Sequence, residues 1–538
     1  MTTVTPFRSQ AGPVKGGFRQ ELHAEWTKFR TVRGWIIAML VAVLVIVGLG
    51  LFAAGGSGSS CQVSTGQSAT GHNPASASTT CPGTTFPVGL GGEPVTDDFY
   101  FVHQPLAGNG SITVRVTSLS GLLPANVASG SPGTKPGLLP WSKAGIIIKD
   151  GTSQGSAYAA MTVTGANGVR MQWNYTHDTP GLAGSVSAAS PRWLRLVRTG
   201  ATITGYDSDD GTHWAQVGTA SLAGLPSTVQ AGLFATSPDD QSFSQTFGGT
   251  NGQGMPTQDT AVFDHVSLSS APAGAWAGGY VGEANMPGVG GYHQAGGRFA
   301  VTGSGDIAPI VPGPTGNAAG TSPSVITSYL IGTFAGLVVV IVVAVMFMTA
   351  EYRRGLIRIT LSASPRRGRV LAAKALVIGA AGFVAGLVAA AAAVLGAVRL
   401  AQSRGQAAFP VSWPTDVRVI VGTAALVAVA AVLALALGAM LRRSVGAVTL
   451  VIAVVVVPYF LAATAALPAG AAEWLLRITP AAGFAVQQAA PRYAQVSALY
   501  TPASGYPPLA PWAGLAVLCG WTVLALGGAA YLLRRRDA

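Results

Sequence analysis

Six stretches of the chain, 34–54, 326–349, 375–398, 419–441, 445–467 and 511–533, contain no Asp, Glu, Lys, Arg or His. Each matches the roughly 20 residues that a helix needs to cross the hydrocarbon core of a bilayer. In lipid the backbone has to satisfy its own hydrogen bonds, so each stretch reads as a transmembrane helix. Composition agrees: 10% of the 538 residues are charged, where a soluble chain would carry about a quarter.

The segment 350–374 sets the orientation. Between Glu351 and Lys374 it holds seven bases (Arg353, Arg354, Arg358, Arg366, Arg367, Arg369, Lys374) and one acid, Glu351. Short loops this rich in Lys and Arg stay cytoplasmic. With this loop inside, Arg33, the pair Arg442 and Arg443, and the run Arg534, Arg535 and Arg536 also mark cytoplasmic ends, and both termini lie inside. The formal net charge of +12 then records membrane orientation and gives no footprint for nucleic acid. Glu351 to Leu361 reads as a short helix in which Glu351 and Arg354 sit at a pairing distance of three residues. Ser364 followed by Pro365 is a helix start signal.

The remaining segments follow in order. Residues 1–17 are polar and rich in Gly and Pro. In 18–33, Phe18, Leu22, Trp26 and Phe29 share one face of a basic amphipathic helix, the pattern of an element lying in the membrane interface. Residues 55–85 form a linker of small residues that contains Cys61 and Cys81, a candidate disulfide in an oxidising compartment or else two free thiols. From 86 to 270 the hydrophobic period changes to two, as in SITVRVTS with Ile112, Val114 and Val116 on one face, and Gly, Pro, Asn and Asp turns divide many short strands. That pattern predicts an antiparallel β-sandwich or jelly roll. Residues 271–325 read as a second Gly/Pro-rich linker, 399–418 as a short external loop, 468–510 as two short external helices, and 534–538 as a cytoplasmic tail. The fold class is therefore a six-helix transmembrane bundle with an extracytoplasmic all-β sandwich inserted between the first and second spans.

The blocks FVHQPLAGNGSITVRVTSLSG, WSKAGIIIKD, AYAAMTVTGANGVRMQWNY, PRWLRLVRTGATITGYDSDDGTHWAQVG and AVFDHVSL resemble the concanavalin A-like lectin/glucanase jelly rolls. That resemblance implies a fold and, for Trp141, Trp173, Tyr175 and Trp214, either stacking on an extracellular glycan or a place in the core. Asp207, Asp209 and Asp210 before Gly211 fit a hairpin turn or a calcium loop, the turn being favoured. Glucanase chemistry needs paired carboxylates, and no such acidic cluster stands out, so no catalytic, cofactor or metal residue is assigned.

AEWTKFRTVRGW before the first span and TAEYRRGLIRITLSASPRRGRVLAAKALV after the second resemble the membrane subunits of type-2 ABC exporters. The resemblance implies a permease homodimer or heterodimer that docks cytoplasmic ATPase subunits. In it Glu351, Tyr352, Arg353, Arg354 and Arg358 serve as the coupling helix and Phe18 to Arg33 as the interface helix. The chain has no G-x-x-x-x-G-K-[ST] loop, so ATP–Mg is expected in the partner and not here. The spans carry no Asp, Glu, Lys or His, the usual members of an ion relay, which weighs against a secondary transporter. The alternative is a membrane-anchored, lectin-like binding or sensory protein that recognises cell-wall or extracellular glycan.

Overall fold

A computed structural model describes residues 17–56, 86–126, 131–246, 249–269, 275–282, 289–311, 325–353, 366–404, 409–496 and 500–535. Among them are nine α-helices: α1 Phe18–Thr31, α2 Arg33–Gly56, α3 Gly332–Arg353, α4 Arg367–Ser403, α5 Trp413–Leu441, α6 Ser444–Val455, α7 Val457–Ala463, α8 Ala469–Ile478 and α9 Pro511–Arg535. Six segments are long and apolar enough to cross a membrane: α2, α3 with the 3-10 turn Ser328–Leu330 before it, α4, α5, α6 with α7, and α9.

Central in the bundle is α5, which packs on α3, α4 and α9. Small residues let it do so: Gly382 and Gly386 of α4 lie against Val427, Ala424 and Ala428 of α5, close approaches that bring van der Waals contact along the whole crossing. The 3-10 segment Pro480–Gln487, buried throughout, is wedged between α5 and α9. Val486 fits against Gly422 and the Ala482 carbonyl against Gly514, where any Cβ would collide.

One span is longer than its apolar run, and another is broken at its proline. The third span begins at Arg367 and runs 37 residues to Ser403, because RGRVLAAK and RLAQS are good helix formers that carry the helix past its apolar part. Lys374, expected in the loop, is thus two turns inside α4. The fifth span breaks at Val456, ahead of Pro458, where a proline removes a backbone donor.

The sandwich lies between α2 and α3 in sequence. One sheet has the order Ala277–Val281, Phe99–Ala107, Thr228–Thr236, Lys143–Lys149, Tyr158–Thr164, Val169–Trp173, His177–Pro180. The other has Ala215–Ser221, Thr202–Ser208, Arg192–Thr199, Gly110–Asn126, Gln258–Leu268, Arg298–Gly303, Gly291–Ala295, with Ser131–Pro136 pairing Gly110–Asn126. All pairs whose register is defined are antiparallel, and alternate residues such as Ile112, Val114 and Val116 fill the space between the sheets. Lys143–Lys149 is buried on both faces, since a second cluster around Phe99, Phe101, Phe234 and Tyr158 covers its outer side.

The stretch 271–325 is a correction. Ala277–Val281 pairs Phe99–Ala107 and Arg298–Gly303 pairs Gln258–Leu268, so the sandwich continues to Pro309 where a tether was expected. Edge strands such as AGGYV and GYHQA owe their form to non-local pairing, and their composition reads as linker. Cys61, Cys81, Arg354, Arg358 and the Ser364–Pro365 start signal lie outside the described residues.

Candidate functional site: a charge quartet joining three helices

At the end of the bundle away from the sandwich, α1 lies across the start of α4 and the end of α3. Its buried positions are Glu25 and Phe29, one turn apart, with Leu22 packed on the same core; Phe18 and Trp26 are exposed. Glu25 meets Lys374 of α4, which is fully buried: Nζ to Glu25 Oε2 is 2.6 Å. The same ammonium reaches Glu351 Oε1 on the last turn of α3 at 2.7 Å. Half-exposed Lys28 completes the set, at 2.7 Å from Glu25 Oε1 and 3.1 Å from Glu351 Oε1. Two carboxylates and two ammoniums thus close a charge-balanced quartet on three helices that are over 300 residues apart between α1 and α3.

Aromatic rings seal it toward the bundle. Phe347 stands 4.6 Å from Lys374 Nζ, and Phe29 and Trp35 meet Phe347 edge-on at 5.8 and 5.0 Å. Such shielding strengthens each pair while raising the cost of losing one partner, on the order of 3–5 kcal/mol for a buried pair. Burial pulls the Lys28 ammonium toward the neutral form, but its bonds to Glu25 and Glu351 outweigh that and hold it above the usual lysine value. One acceptor is unused: Glu351 Oε2 is buried without a partner among the described residues.

Neighbouring helix ends are tied in as well. Arg367 of α4 donates to the Leu533 carbonyl of α9 at 2.6 Å. Arg442, a left-handed cap at the end of α5, places its guanidinium 5.1 Å from the Tyr352 ring. Arg353 closes α3, and the basic segment beyond it joins this cluster to α4.

Sequence reasoning named Glu351 and Tyr352, and the structure gives Glu351 inward lysine partners. It missed Glu25 and took Lys374 for a loop residue. The available signal was a lone pair of acids in a basic helix, with Glu25 three residues before Lys28 and four before Phe29.

The other candidates stay apart. Trp141 is buried beside Arg170, next to the Lys143 end of its sheet. Trp173 stacks on His177 and pairs with Ala159, near the opposite, Lys149 end. Trp214, at the far sheet, lies under Arg195 at 3.9 Å. No shared aromatic platform forms from them. Tyr175 is buried and bonds Asp97. Asp207 accepts from the Leu182 amide, whereas Asp210 accepts from the amides of Thr212 and His213, the bonding of a turn.

Six spans with an inserted β-sandwich and this cross-linked helix end define a multi-pass membrane protein of the permease kind. The family model described as "ABC-2 family transporter protein" matches residues 22–538, and the chain belongs to that family. No curated protein matches the chain. Among solved structures, scytalido-glutamic peptidase with a transition state analog inhibitor is 9% identical, with a TM-score of 0.24 over 38% of this chain and 98% of that one. A functionally unknown protein from Saccharomyces cerevisiae is 16% identical, with a TM-score of 0.19 over 33% and 76%. The GH43 protein BlXynB from Bacillus licheniformis is 18% identical, with a TM-score of 0.16 over 24% of each. Likenesses this slight bear on neither fold nor chemistry.

Proposed function

We propose that this permease is the membrane subunit of an ATP-driven exporter, in which the quartet end faces the cytoplasm and takes up the thrust of a separate ATPase that holds ATP–Mg. The quartet carries this reading. A push on one hairpin would be lost in bending, but Lys374 and its partners make α1, α3 and α4 a single body beside the basic segment 350–374, the kind of rigid element that turns a partner's motion into displacement of spans. Arg353, Arg354 and Arg358 are then the docking surface for an acidic face of the ATPase, and Glu351 is a positioning residue. Phe18 and Trp26, exposed on α1, reach the lipid headgroups, the sandwich stands outside the membrane, and two permease chains, identical or different, form the pathway.

The test is copurification of the full-length chain with its ATPase. Replacing Arg353, Arg354 and Arg358 with Glu is expected to abolish the complex, whereas Lys374→Gln is expected to keep it and lower ATP-dependent transport. An intact complex in the triple variant overturns the docking assignment. Undiminished transport in Lys374→Gln overturns the quartet's role.

A further inference from the structure

At the opposite end of the bundle the sandwich rests on the external loops. Gln495 Nε2 donates to the Tyr175 carbonyl at 3.1 Å, and Gly92 lies against Pro410. Between them is a cavity of about 250 Å³, with Glu93 and Thr176 from the sandwich on one wall and Ser412, Thr415 and Tyr493 from the bundle on the other. Phe409 and Pro410 form an apolar side.

Glu93 is the unusual member. It is 7% exposed, its carboxylate lies over Gly89 and Gly91 where any Cβ would collide with it, and among the described residues no side-chain hydrogen bond or ion pair reaches it. The arginines that neighbour the bundle wall in sequence are engaged elsewhere: Arg418 donates to the Gln488 carbonyl at 2.5 Å and Arg492 to that of Pro507 at 2.8 Å. Tyr493, across the cavity, feels the Glu93 charge; burial first and Glu93 second push its phenol up to about 12. A carboxylate that lines a cavity with no cation of the protein beside it is suited to a cation from outside.

We infer that this junction binds a small primary amine that also carries hydroxyls, its ammonium on Glu93 and its hydroxyls on Thr176, Ser412, Thr415 and Tyr493. The residues select that chemistry. One carboxylate calls for one positive charge. The four hydroxyl-bearing side chains keep lone pairs to accept from a ligand, even where Ser412 bonds Thr415 at 3.0 Å and Thr176 bonds the Asn174 carbonyl at 3.3 Å. The volume falls below the roughly 300 Å³ at which sites for drug-sized ligands begin. A ligand seated there touches sandwich and bundle together and bridges them. This inference is independent of the ATPase reading, because it concerns the other end of the molecule and its readout is binding.

Titration calorimetry of the full-length protein in nanodiscs, at mildly acidic pH, with glucosamine and with glucose as its neutral counterpart, tests it. Glucosamine is expected to bind at least about tenfold more tightly than glucose. Glu93→Gln should erase that preference and leave the thermal transition in place; Thr415→Ala should weaken both probes alike. Absence of glucosamine binding, equal affinity for the two probes, or a preference that survives Glu93→Gln overturns the proposal. If Glu93→Gln does not fold, the wild-type probe ratio and the Thr415→Ala response decide it.

Discussion

Lys149 in the sandwich and Lys374 in the bundle are both fully buried and both sit 2.7 Å from a carboxylate, Asp97 and Glu351 respectively. Their surroundings differ. Around Lys149 the knot includes fixed groups: the Ser156 carbonyl at 3.2 Å, the Tyr175 hydroxyl at 3.3 Å, and the Gly155 amide, which donates to Asp97 at 2.9 Å. Burial drives the Lys149 ammonium below the usual lysine range despite Asp97, and raises the Tyr175 phenol, with the Asp97 charge adding to it. The quartet around Lys374 is made of side chains from three helices. A knot with backbone members cannot re-pair without moving the main chain. One built from side chains on separate helices can exchange partners while each helix stays intact, which is what a transmitting element requires.

The largest expected effect breaks the static member of the comparison. Lys149→Met leaves Asp97 buried without its cation, at a cost of about 3–5 kcal/mol, enough to open the centre of a sheet in a marginally stable domain. Hydrogen exchange on the full-length protein should show lost protection in Lys143–Lys149 and Tyr158–Thr164; unchanged protection would remove the structural role given to the pair. Next comes the quartet. In Lys374→Gln two carboxylates face each other with only half-exposed Lys28 between them, and a double-mutant cycle with Glu351→Gln should return a coupling of about 1–3 kcal/mol. A coupling near zero would mean that α3 and α4 move independently.

The same contrast explains what was legible in the sequence. Apolar runs and period-two strands are local signals, so the six spans and the body of the sandwich could be read directly. The quartet is non-local: Glu25, Glu351 and Lys374 become neighbours only once α1 folds back on the bundle, and the spacing of Glu25 to Lys28 and Phe29 in EWTKF hints at a paired acid without naming the members on α3 and α4. The strands after Ala277 are hidden for a similar reason, since Gly278 and Gly279 acquire extended form by pairing with Val102 and Phe101. The tryptophans stay ambiguous in sequence, because aromatic residues that serve the core and those that serve a ligand look alike before the sheets are assembled.

A smaller effect sharpens the comparison through pH. Asp264 bonds Arg115 through both oxygens, at 2.7 and 2.6 Å, and Arg115, against the opposing effect of burial, holds the Asp264 carboxyl at about 2. A depressed carboxylate stabilises the fold above its unfolded value of about 3.9, and the contribution is lost as pH falls through the folded value. Acid titration of sandwich stability should therefore decline between about pH 4 and pH 2, with Arg115→Gln flattening that limb. An identical acid limb in the variant would count against the pair.

The smallest effect concerns Trp214. Arg195 lies 3.9 Å above its ring and also donates to Thr113 Oγ1 at 3.0 Å, so the exposed face of the ring is already occupied by a cation held from a second direction. Trp214→Leu keeps apolar volume but loses the ring face, for which an exposed cation–π contact accounts for about 0.5–1 kcal/mol. Binding of the full-length protein to a β-glucan column should be the same before and after the change, because a sugar would have to displace Arg195 to stack there. Loss of column binding with no change in melting would reverse the assignment and make Trp214 a ligand contact, leaving Lys149 and its neighbours as the sandwich's purely structural polar centre.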